Sequence, residues 1–221
     1  MRKKGWSMGY RAVIFDMDGV LIDSEFFYLQ RFHREIVKKY PWVAIEDLYP
    51  TVGMDEGRTR LLISRLARRD PADPAFDAEL QEIFASGEEL YYPDFLYPEV
   101  PEVLRELKER GLRIGLASSS PMKAIRNMLK ECALADCFSC VVSGYELPES
   151  KPNPEVYYKA MQAIGCGPGE CLVVEDSTHG VEAGAAAGAK VAARMDERFP
   201  FDQSKASYFI RTLRDLREIL F

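Results

Sequence analysis

The stretch AVIFDMDG at residues 12–19 constrains the fold of this chain more than any other. Its four consecutive apolar residues predict a strand buried on both faces, as in a parallel sheet between helical layers. The strand ends in Asp16 and Asp18, and Gly19 then permits a sharp turn. Ligands bind beyond the carboxyl ends of strands in open α/β sheets, and two close carboxylates repel unless a cation lies between them. A hard cation with oxygen ligands, Mg²⁺ above all, fits this pair.

A plainer explanation of the same stretch is an acidic turn before a helix. In that case Asp23 or Ser24 would cap the helix, and no ligand would be required. These eight residues alone do not separate the two explanations, so the rest of the chain has to decide between them.

Length and composition exclude several classes of protein. A chain of 221 residues fits one large domain, or one domain with a smaller insertion, and 47% hydrophobic with 29% charged residues is typical of a globular protein. The net charge of −6 argues against binding to nucleic acid or to an anionic membrane. We find no apolar run of ~18 residues that predicts a membrane span. We therefore expect a cytoplasmic monomer without nucleic-acid or membrane partners.

The order of apolar patterns predicts the domain organisation. Residues 25–92 show helical periodicity without a clear strand, which indicates an insertion. Beyond residue 93, strands and helices alternate, and this alternation predicts right-handed βαβ units and a parallel sheet. The predicted fold is α/β: a Rossmann-like parallel-sheet core of residues 1–24 and 93–221, with an inserted α-helical domain at residues 25–92.

Polar residues collect at the ends of four predicted strands. They are Asp16, Asp18, Ser118, Lys151, Glu175 and Asp176. Equivalent ends of parallel strands face one edge of the sheet, so these side chains can converge. A lysine, a hydroxyl and four carboxylates, together with a cation, form a site for a phosphate dianion. Taken singly, Ser118 and the Glu175-Asp176 pair could cap helices, and Lys151 could be an exposed loop lysine.

These motifs, in this order, resemble the haloacid dehalogenase-like superfamily of phosphotransferases, and within it the β-phosphoglucomutase and sugar-phosphate phosphatase branch. The motifs are DMDGV at 16–20, Ser118 after an apolar strand, KPNP at 151–154 and EDSTHG at 175–180. The resemblance covers essentially the whole chain. It implies that the helical insertion is the α-helical cap domain of this family.

The resemblance also implies roles for individual residues in phosphoryl transfer. Asp16 would be the nucleophile that forms an aspartyl-phosphate, and Asp18 the general acid and then the base. Ser118 and Ser119 would bind the transferring phosphoryl group, and Lys151 would steady its charge together with that of Asp16.

The same resemblance implies a Mg²⁺ site. Asp16, the backbone carbonyl of Asp18 and Asp176 would hold the ion, and Glu175 would act directly or through water. A site of this kind is physically sound, because phosphoryl transfer is catalysed mostly by positioning and by charge stabilisation.

The chain departs from the mutase branch at positions that recognise substrate. Tyr28 stands where that branch typically has histidine, and Val52 and Glu56 flank Gly53 in the cap loop where it has basic residues. Pro121 and Met122 replace its Lys-Asn pair.

These departures favour a plain phosphatase over a mutase. We expect a Mg²⁺-dependent phosphatase for a small phosphorylated metabolite, a sugar phosphate, with substrate contacts from Tyr28, Gly53 and Arg58. The alternative enzyme is a phosphosugar mutase. An alternative from another class is a phosphate-binding signalling domain of receiver type, which the chain length and the helical insertion disfavour.

Overall fold

The computed structural model describes residues 9–54, 56–85 and 90–221, and it places residues 12–15 at the centre of a parallel sheet. Within these residues, six strands form one sheet in the order β3-β2-β1-β4-β5-β6, and all neighbouring pairs are parallel. The strands are β1 (Ala12–Phe15), β2 (Arg113–Ser118), β3 (Cys140–Ser143), β4 (Cys171–Glu175), β5 (Lys190–Arg194) and β6 (Tyr208–Ile210). The predicted α/β fold with a Rossmann-like parallel-sheet core is confirmed.

Helices flank the sheet and fill the segment between β1 and β2. They are α1 (Glu25–Lys39), α2 (Glu56–Ala67), α3 (Pro74–Ala85), α4 (Val100–Glu109), α5 (Met122–Glu131), α6 (Glu155–Ile164), α7 (Thr178–Ala186) and α8 (Leu216–Leu220). Short 3₁₀ helices occur at Glu46–Thr51, Tyr92–Phe95, Ala135–Cys137, Pro168–Glu170 and Leu213–Asp215.

The sheet is buried on both faces, as the apolar run of β1 predicts. Val13 and Phe15 belong to a hydrophobic cluster with residues of α4, α5 and α8, whereas Ala12 and Ile14 belong to a cluster with residues of α6 and α7. Successive strand residues point to opposite faces, so each residue of β1 packs against one of the two helical layers. All four are fully buried.

The strand order creates a switch point next to β1. The chain runs outward from β1 to β2 and β3 on one side, and then returns to β4, β5 and β6 on the other. Ligands bind at such a point in open α/β sheets, beyond the carboxyl ends of the strands. Phe15 of β1 pairs with Val174 of β4, so Asp16 and Glu175 follow at the same edge.

Helices α1, α2 and α3 pack around a third hydrophobic cluster, separate from the two that flank the sheet. Its buried members include Leu29, Ile36, Phe76, Leu80 and Ile83. The two chain segments that join these helices to the sheet lie side by side: the amide of Asp23 donates to the carbonyl of Phe95, and that of Tyr97 to Leu21. The predicted division at residues 25–92 stays a prediction, and part of it, residues 55 and 86–89, lies outside the described residues.

The loop between β5 and β6 makes a further connection to the helical segment. Phe199 is buried in the hydrophobic cluster of α1, α2 and α3, stacks on Phe201 at 5.2 Å and meets Tyr49 edge-on at 5.9 Å. The neighbouring Arg198 forms an ion pair with Asp23, where the chain leaves the sheet for α1. The helical segment, which consists of α1, α2 and α3, is therefore joined to the core by the two connecting chain segments and by the β5–β6 loop.

No helix in the described ranges combines the length and the apolar character that crossing a bilayer requires.

The buried position of Phe199 leads to a stability prediction. We expect Phe199→Ala to lower the free energy of unfolding by about 3 kcal/mol, because the substitution removes a buried ring and leaves a cavity. Phe209→Ala is the matched control, since the Phe209 side chain in β6 is 55% exposed. Urea unfolding followed by circular dichroism measures both. Equal losses in the two variants would contradict a bridging role for Phe199.

Candidate active site

Three carboxylates from two strand ends lie together at the switch point. Oxygens of Asp16, Glu175 and Asp176 all fall within 4.8 Å of one another. Asp16 directly follows β1, Glu175 is the last residue of β4, and all three side chains are buried. The convergence expected from parallel strands is thus observed for these residues.

Lys151 reaches this cluster from the loop before α6. Its Nζ donates to Oδ1 of Asp16 at 2.6 Å, to Oε1 of Glu175 at 2.7 Å and to the carbonyl of Ala117 at 3.2 Å. The three donors of the ammonium group are thereby all used inside the protein. The side chain is only 5% exposed, so the explanation of Lys151 as an exposed loop lysine is wrong.

Asp18 has a different environment from Asp16, although one residue separates them. Its Oδ1 accepts a 2.6 Å hydrogen bond from the hydroxyl of Ser24, and its Oδ2 a 2.8 Å bond from the hydroxyl of Ser120. Ser24 precedes α1 but makes no side-chain capping hydrogen bond to that helix. The plainer explanation, in which Ser24 serves only as a cap, therefore does not hold.

The two serines expected at the phosphoryl site lie where β2 ends. Ser118 is buried, and its Oγ accepts a 3.0 Å hydrogen bond from the amide of Ser120, which shapes the loop before α5. Ser119 is exposed and lines a cleft of about 690 Å³. Ser118 does not cap α5, since Pro121 occupies the N-cap position.

Carboxylates outnumber cationic groups at this site. Burial raises the pKa of Asp16 to about 8; Glu175 and Asp18 add to this rise, and Lys151 opposes it. Burial, followed by repulsion from Glu25 and Glu175, raises the pKa of Asp176 well above its usual range. Burial also raises the pKa of Glu25. These carboxylates lie close together, and their negative charges are costly in a buried site. A hard divalent cation prefers oxygen ligands and would stabilise these charges, so the residues fit Mg²⁺.

Gly19 is required where Asp176 approaches the first motif. Gly19 has a positive φ of 72°, and a Cβ at this position would collide with the carboxylate of Asp176. A glycine here satisfies both the left-handed backbone and the close approach.

The residues expected to recognise substrate line two adjoining cavities. Tyr28, together with Glu25, lines a cavity of about 280 Å³ among the three helices that follow β1. Arg58 lines the cleft that also contains Ser119, and Gly53 borders both spaces. The structure therefore brings Tyr28 and Arg58 to opposite sides of Gly53 and not to one pocket. The side chain of Glu56 lies outside the described residues.

Gly53 also contacts the loop that carries Asp176. A Cβ on Gly53 would lie 2.9 Å from the Cβ of Ser177, the residue after Asp176, so the backbone of Gly53 packs closely against the side chain of Ser177. On the other side, the side-chain amide of Gln203 donates to the backbone carbonyl of Asp176. The loop that carries Asp176 is thus held between the helical segment and the β5–β6 loop.

Sequence reasoning missed several side chains that contact the site. They are Ser24, Glu25, Ser120 and Tyr157. Ser24 and Ser120 could have been found, because each is a hydroxyl a few residues from a motif residue. Tyr157 gave no signal, since a buried tyrosine in a helical pattern is most often a core residue.

Comparison with known proteins gives a consistent result. The family model of haloacid dehalogenase-like hydrolases matches residues 10–188. Hexitol phosphatase B of Escherichia coli strain K12 is 33% identical over 190 residues, which cover 80% of this chain and 79% of that protein. A phosphorylated carbohydrates phosphatase of Thermotoga maritima is 31% identical, with coverage of 80% and 81%.

Solved structures show the same architecture. The crystal structure of a β-phosphoglucomutase from Clostridium difficile superposes with a TM-score of 0.76, covering 94% of this chain and 93% of that one. The sequence identity is 19%, so this likeness concerns the fold alone.

The raised pKa of Asp176 leads to a prediction about metal-free protein. We expect Asp176→Asn to raise the thermal unfolding temperature in EDTA at neutral pH, because an amide replaces a carboxylate that is costly to ionise in the folded state. Mg²⁺ at a hundred times its dissociation constant should stabilise the unsubstituted protein by about 2.7 kcal/mol. It should stabilise the variant much less.

Asp136→Asn is the control for this measurement. Asp136 is exposed and precedes β3, at the edge of the sheet opposite the site. It should change neither the stability in EDTA nor the response to Mg²⁺. An equal response of the Asp176 variant to Mg²⁺ would contradict a metal site at this residue.

Proposed function

The chain belongs to the haloacid dehalogenase-like hydrolase family, and from this premise we propose that it is a Mg²⁺-dependent phosphatase that hydrolyses a small phosphorylated metabolite, a sugar phosphate. The prediction of an enzyme of this family is confirmed. The names of the relatives, a hexitol phosphatase and a phosphorylated carbohydrates phosphatase, support the proposed substrate class. The expected cytoplasmic location and monomeric state stay predictions.

One observation carries the proposal: Asp16 and Asp18 are held in ways that suit two different tasks. Asp16 faces the ammonium of Lys151, which opposes the rise of its pKa to about 8 that burial causes, and a bound cation would favour the ionised form that attacks phosphorus. Burial raises the pKa of Asp18 above its usual range, although the hydrogen bonds that it accepts from the hydroxyls of Ser24 and Ser120 oppose this rise, and a carboxyl group with a raised pKa can carry and release a proton. Hydrolysis in two steps needs both kinds of group.

In the first proposed step, a carboxylate oxygen of Asp16 attacks phosphorus and the bond from phosphorus to the substrate oxygen breaks. Asp18 gives its proton to that leaving oxygen, so an alcohol departs and an aspartyl-phosphate remains. In the second step, Asp18 takes a proton from water, whose oxygen attacks the same phosphorus. Inorganic phosphate leaves and Asp16 is restored. Ser118 and Ser119 would bind the phosphoryl oxygens in both steps, and the nearby charge of Lys151 would stabilise both the phosphoryl group and Asp16.

Asp16, Asp176 and the backbone carbonyl of Asp18 would hold Mg²⁺, with Glu175 contributing directly or through water. When bound, the ion neutralises negative charge on the phosphoryl group and on the carboxylates. The buried acidic cluster supports this assignment.

We further propose that residues 25–92 act as a cap over this site. The cleft beside Ser119 and the cavity beside Tyr28 both border Gly53, and they offer space for the leaving alcohol. The segments near residues 24–27 and 93–98 would act as hinges when substrate enters.

The proposed nucleophile gives the first functional test. Phosphate release from p-nitrophenyl phosphate should require Mg²⁺ and stop in EDTA. Asp16→Asn should lower turnover to background, by about a thousandfold or more, because the attacking charge is lost while size and shape are kept. A colorimetric phosphate assay measures both effects.

Asp136→Asn serves again as the matched control, with full turnover expected. Circular dichroism should show that the Asp16 variant is folded. Substantial turnover in the folded Asp16→Asn protein would contradict the covalent mechanism, and activity that persists in chelator would contradict the metal assignment.

A second test separates the phosphatase from a phosphosugar mutase. A mutase needs cationic groups to hold the second phosphate of a bisphosphate intermediate, and the chain has Tyr28, Val52, Glu56, Pro121 and Met122 where the mutase branch has polar or basic groups. We expect β-glucose 1-phosphate, if accepted, to yield glucose and inorganic phosphate even when a bisphosphate primer is supplied. Coupling glucose 6-phosphate to a dehydrogenase, with free phosphate measured in parallel, tests this. Rapid, primer-dependent formation of glucose 6-phosphate would establish the mutase instead.

A further inference from the structure

A tyrosine that the proposed mechanism does not use is buried behind the acidic site. Tyr157 lies in the first turn of α6, six residues after Lys151, and its side chain is fully buried. Its hydroxyl donates a 2.6 Å hydrogen bond to Oε1 of Glu175. The same oxygen accepts the 2.7 Å hydrogen bond from Lys151. Tyr157 and Lys151 therefore share one acceptor.

The other contacts of Glu175 leave this carboxylate little freedom. Its Oε2 accepts from the amide of Asp176 at 3.0 Å, and from the amide and hydroxyl of Ser177 at 3.4 Å each. A carboxylate offers about four acceptor positions, so donors of the protein use most of the acceptor capacity of Glu175. Oε1 accepts from two donors, the hydroxyl of Tyr157 and Nζ of Lys151.

The ammonium of Lys151 donates to two carboxylates: Asp16, the proposed nucleophile, and Glu175, which is held by other donors of the protein. Oδ1 of Asp16 lies at 2.6 Å and Oε1 of Glu175 at 2.7 Å from Nζ, and the centre of the Tyr157 ring lies at 5.1 Å. In a buried site, a charged acceptor with one donor fewer attracts the remaining donor more strongly. Without the tyrosine hydroxyl, Glu175 would draw the ammonium toward itself and away from Asp16.

We propose that Tyr157 is a positioning residue for the nucleophile. By donating to Glu175, it limits the pull of this carboxylate on Lys151 and keeps the ammonium against Oδ1 of Asp16. Tyr157 acts only through Glu175 and Lys151, since its side chain has no exposed surface with which to touch substrate. The inference rests on the proposed function, because Asp16 attacks phosphorus only in that mechanism.

Tyr157→Phe tests the inference with the loss of a single oxygen. The ring and its contact with Lys151 remain, so the fold should survive. We expect kcat for p-nitrophenyl phosphate to fall about tenfold, while KM stays within about twofold. The split follows from the geometry: the hydroxyl is buried and contacts Glu175, so its loss should disturb the nucleophile and not the initial binding of substrate.

Tyr158→Phe is the matched control on the same helix. The hydroxyl of Tyr158 donates a 3.2 Å hydrogen bond to the carbonyl of Ala186, and the side chain is 48% exposed. Both variants lose one hydroxyl and one hydrogen bond of α6, but only Tyr157 contacts the acidic site. We expect kcat of Tyr158→Phe to stay within twofold of the unsubstituted protein. An equal loss of kcat in both variants would overturn the inference, because the cause would then be helix α6 as a whole.

A second measurement does not depend on activity. In ¹⁵N-lysine-labelled protein, the buried ammonium of Lys151 should exchange its protons slowly with water, because three acceptors hold it. Tyr157→Phe should accelerate this exchange severalfold, because the ammonium moves away from Oδ1 of Asp16 and loses that acceptor, and Tyr158→Phe should leave it unchanged. Unchanged exchange in Tyr157→Phe, or a kcat within twofold of the unsubstituted protein, would show the inference to be wrong. If the unsubstituted protein releases no phosphate, the proposed function fails. The exchange measurement then still decides whether Tyr157, through Glu175, keeps Lys151 in position.

Discussion

The buried ammonium of Lys151 is the interaction on which the site depends. A buried charge is costly unless it is paired and fully hydrogen-bonded, and Lys151 meets both conditions through Asp16, Glu175 and the carbonyl of Ala117. These partners follow or end β1, β4 and β2, so one side chain joins three strand ends. Loss of Lys151 would leave two carboxylates facing each other without a cation between them, which is far more costly than loss of an exposed ion pair.

One ammonium does not balance the carboxylates around it, and this imbalance gives the site its chemistry. Burial raises the pKa of Asp16, Asp18, Glu25 and Asp176, and repulsion between carboxylates adds to the rise at Asp16, Glu25 and Asp176. A divalent cation would offset part of this excess negative charge, and it would lower the repulsion that an approaching phosphoryl group meets. The folded chain thus carries an energetic cost at the site, and the well-packed sheet beneath it supplies the stability that offsets this cost.

The helical segment and the core are linked more closely than two chain crossings imply. Phe199 packs in the hydrophobic cluster of the three helices, Gly53 touches Ser177, and Gln203 donates to the backbone of Asp176. Movement of the helices would therefore disturb the loop that carries Asp176. A cap that rotates as a rigid unit has to release Phe199 or carry the β5–β6 loop with it.

The sequence by itself determined the fold class and the chemical types at the strand ends. The apolar run of β1, the alternation of strands with helices, and polar residues directly after the strands are local patterns, and parallel strands necessarily bring their carboxyl ends to one edge. Only the tertiary structure decided which acceptors each donor uses. Ser24 binds Asp18 instead of capping α1, Tyr28 and Arg58 face different cavities, and Tyr157 reaches Glu175. Such contacts join residues far apart in the chain, and sequence periodicity reports which face a residue occupies but not which atom it meets across that face.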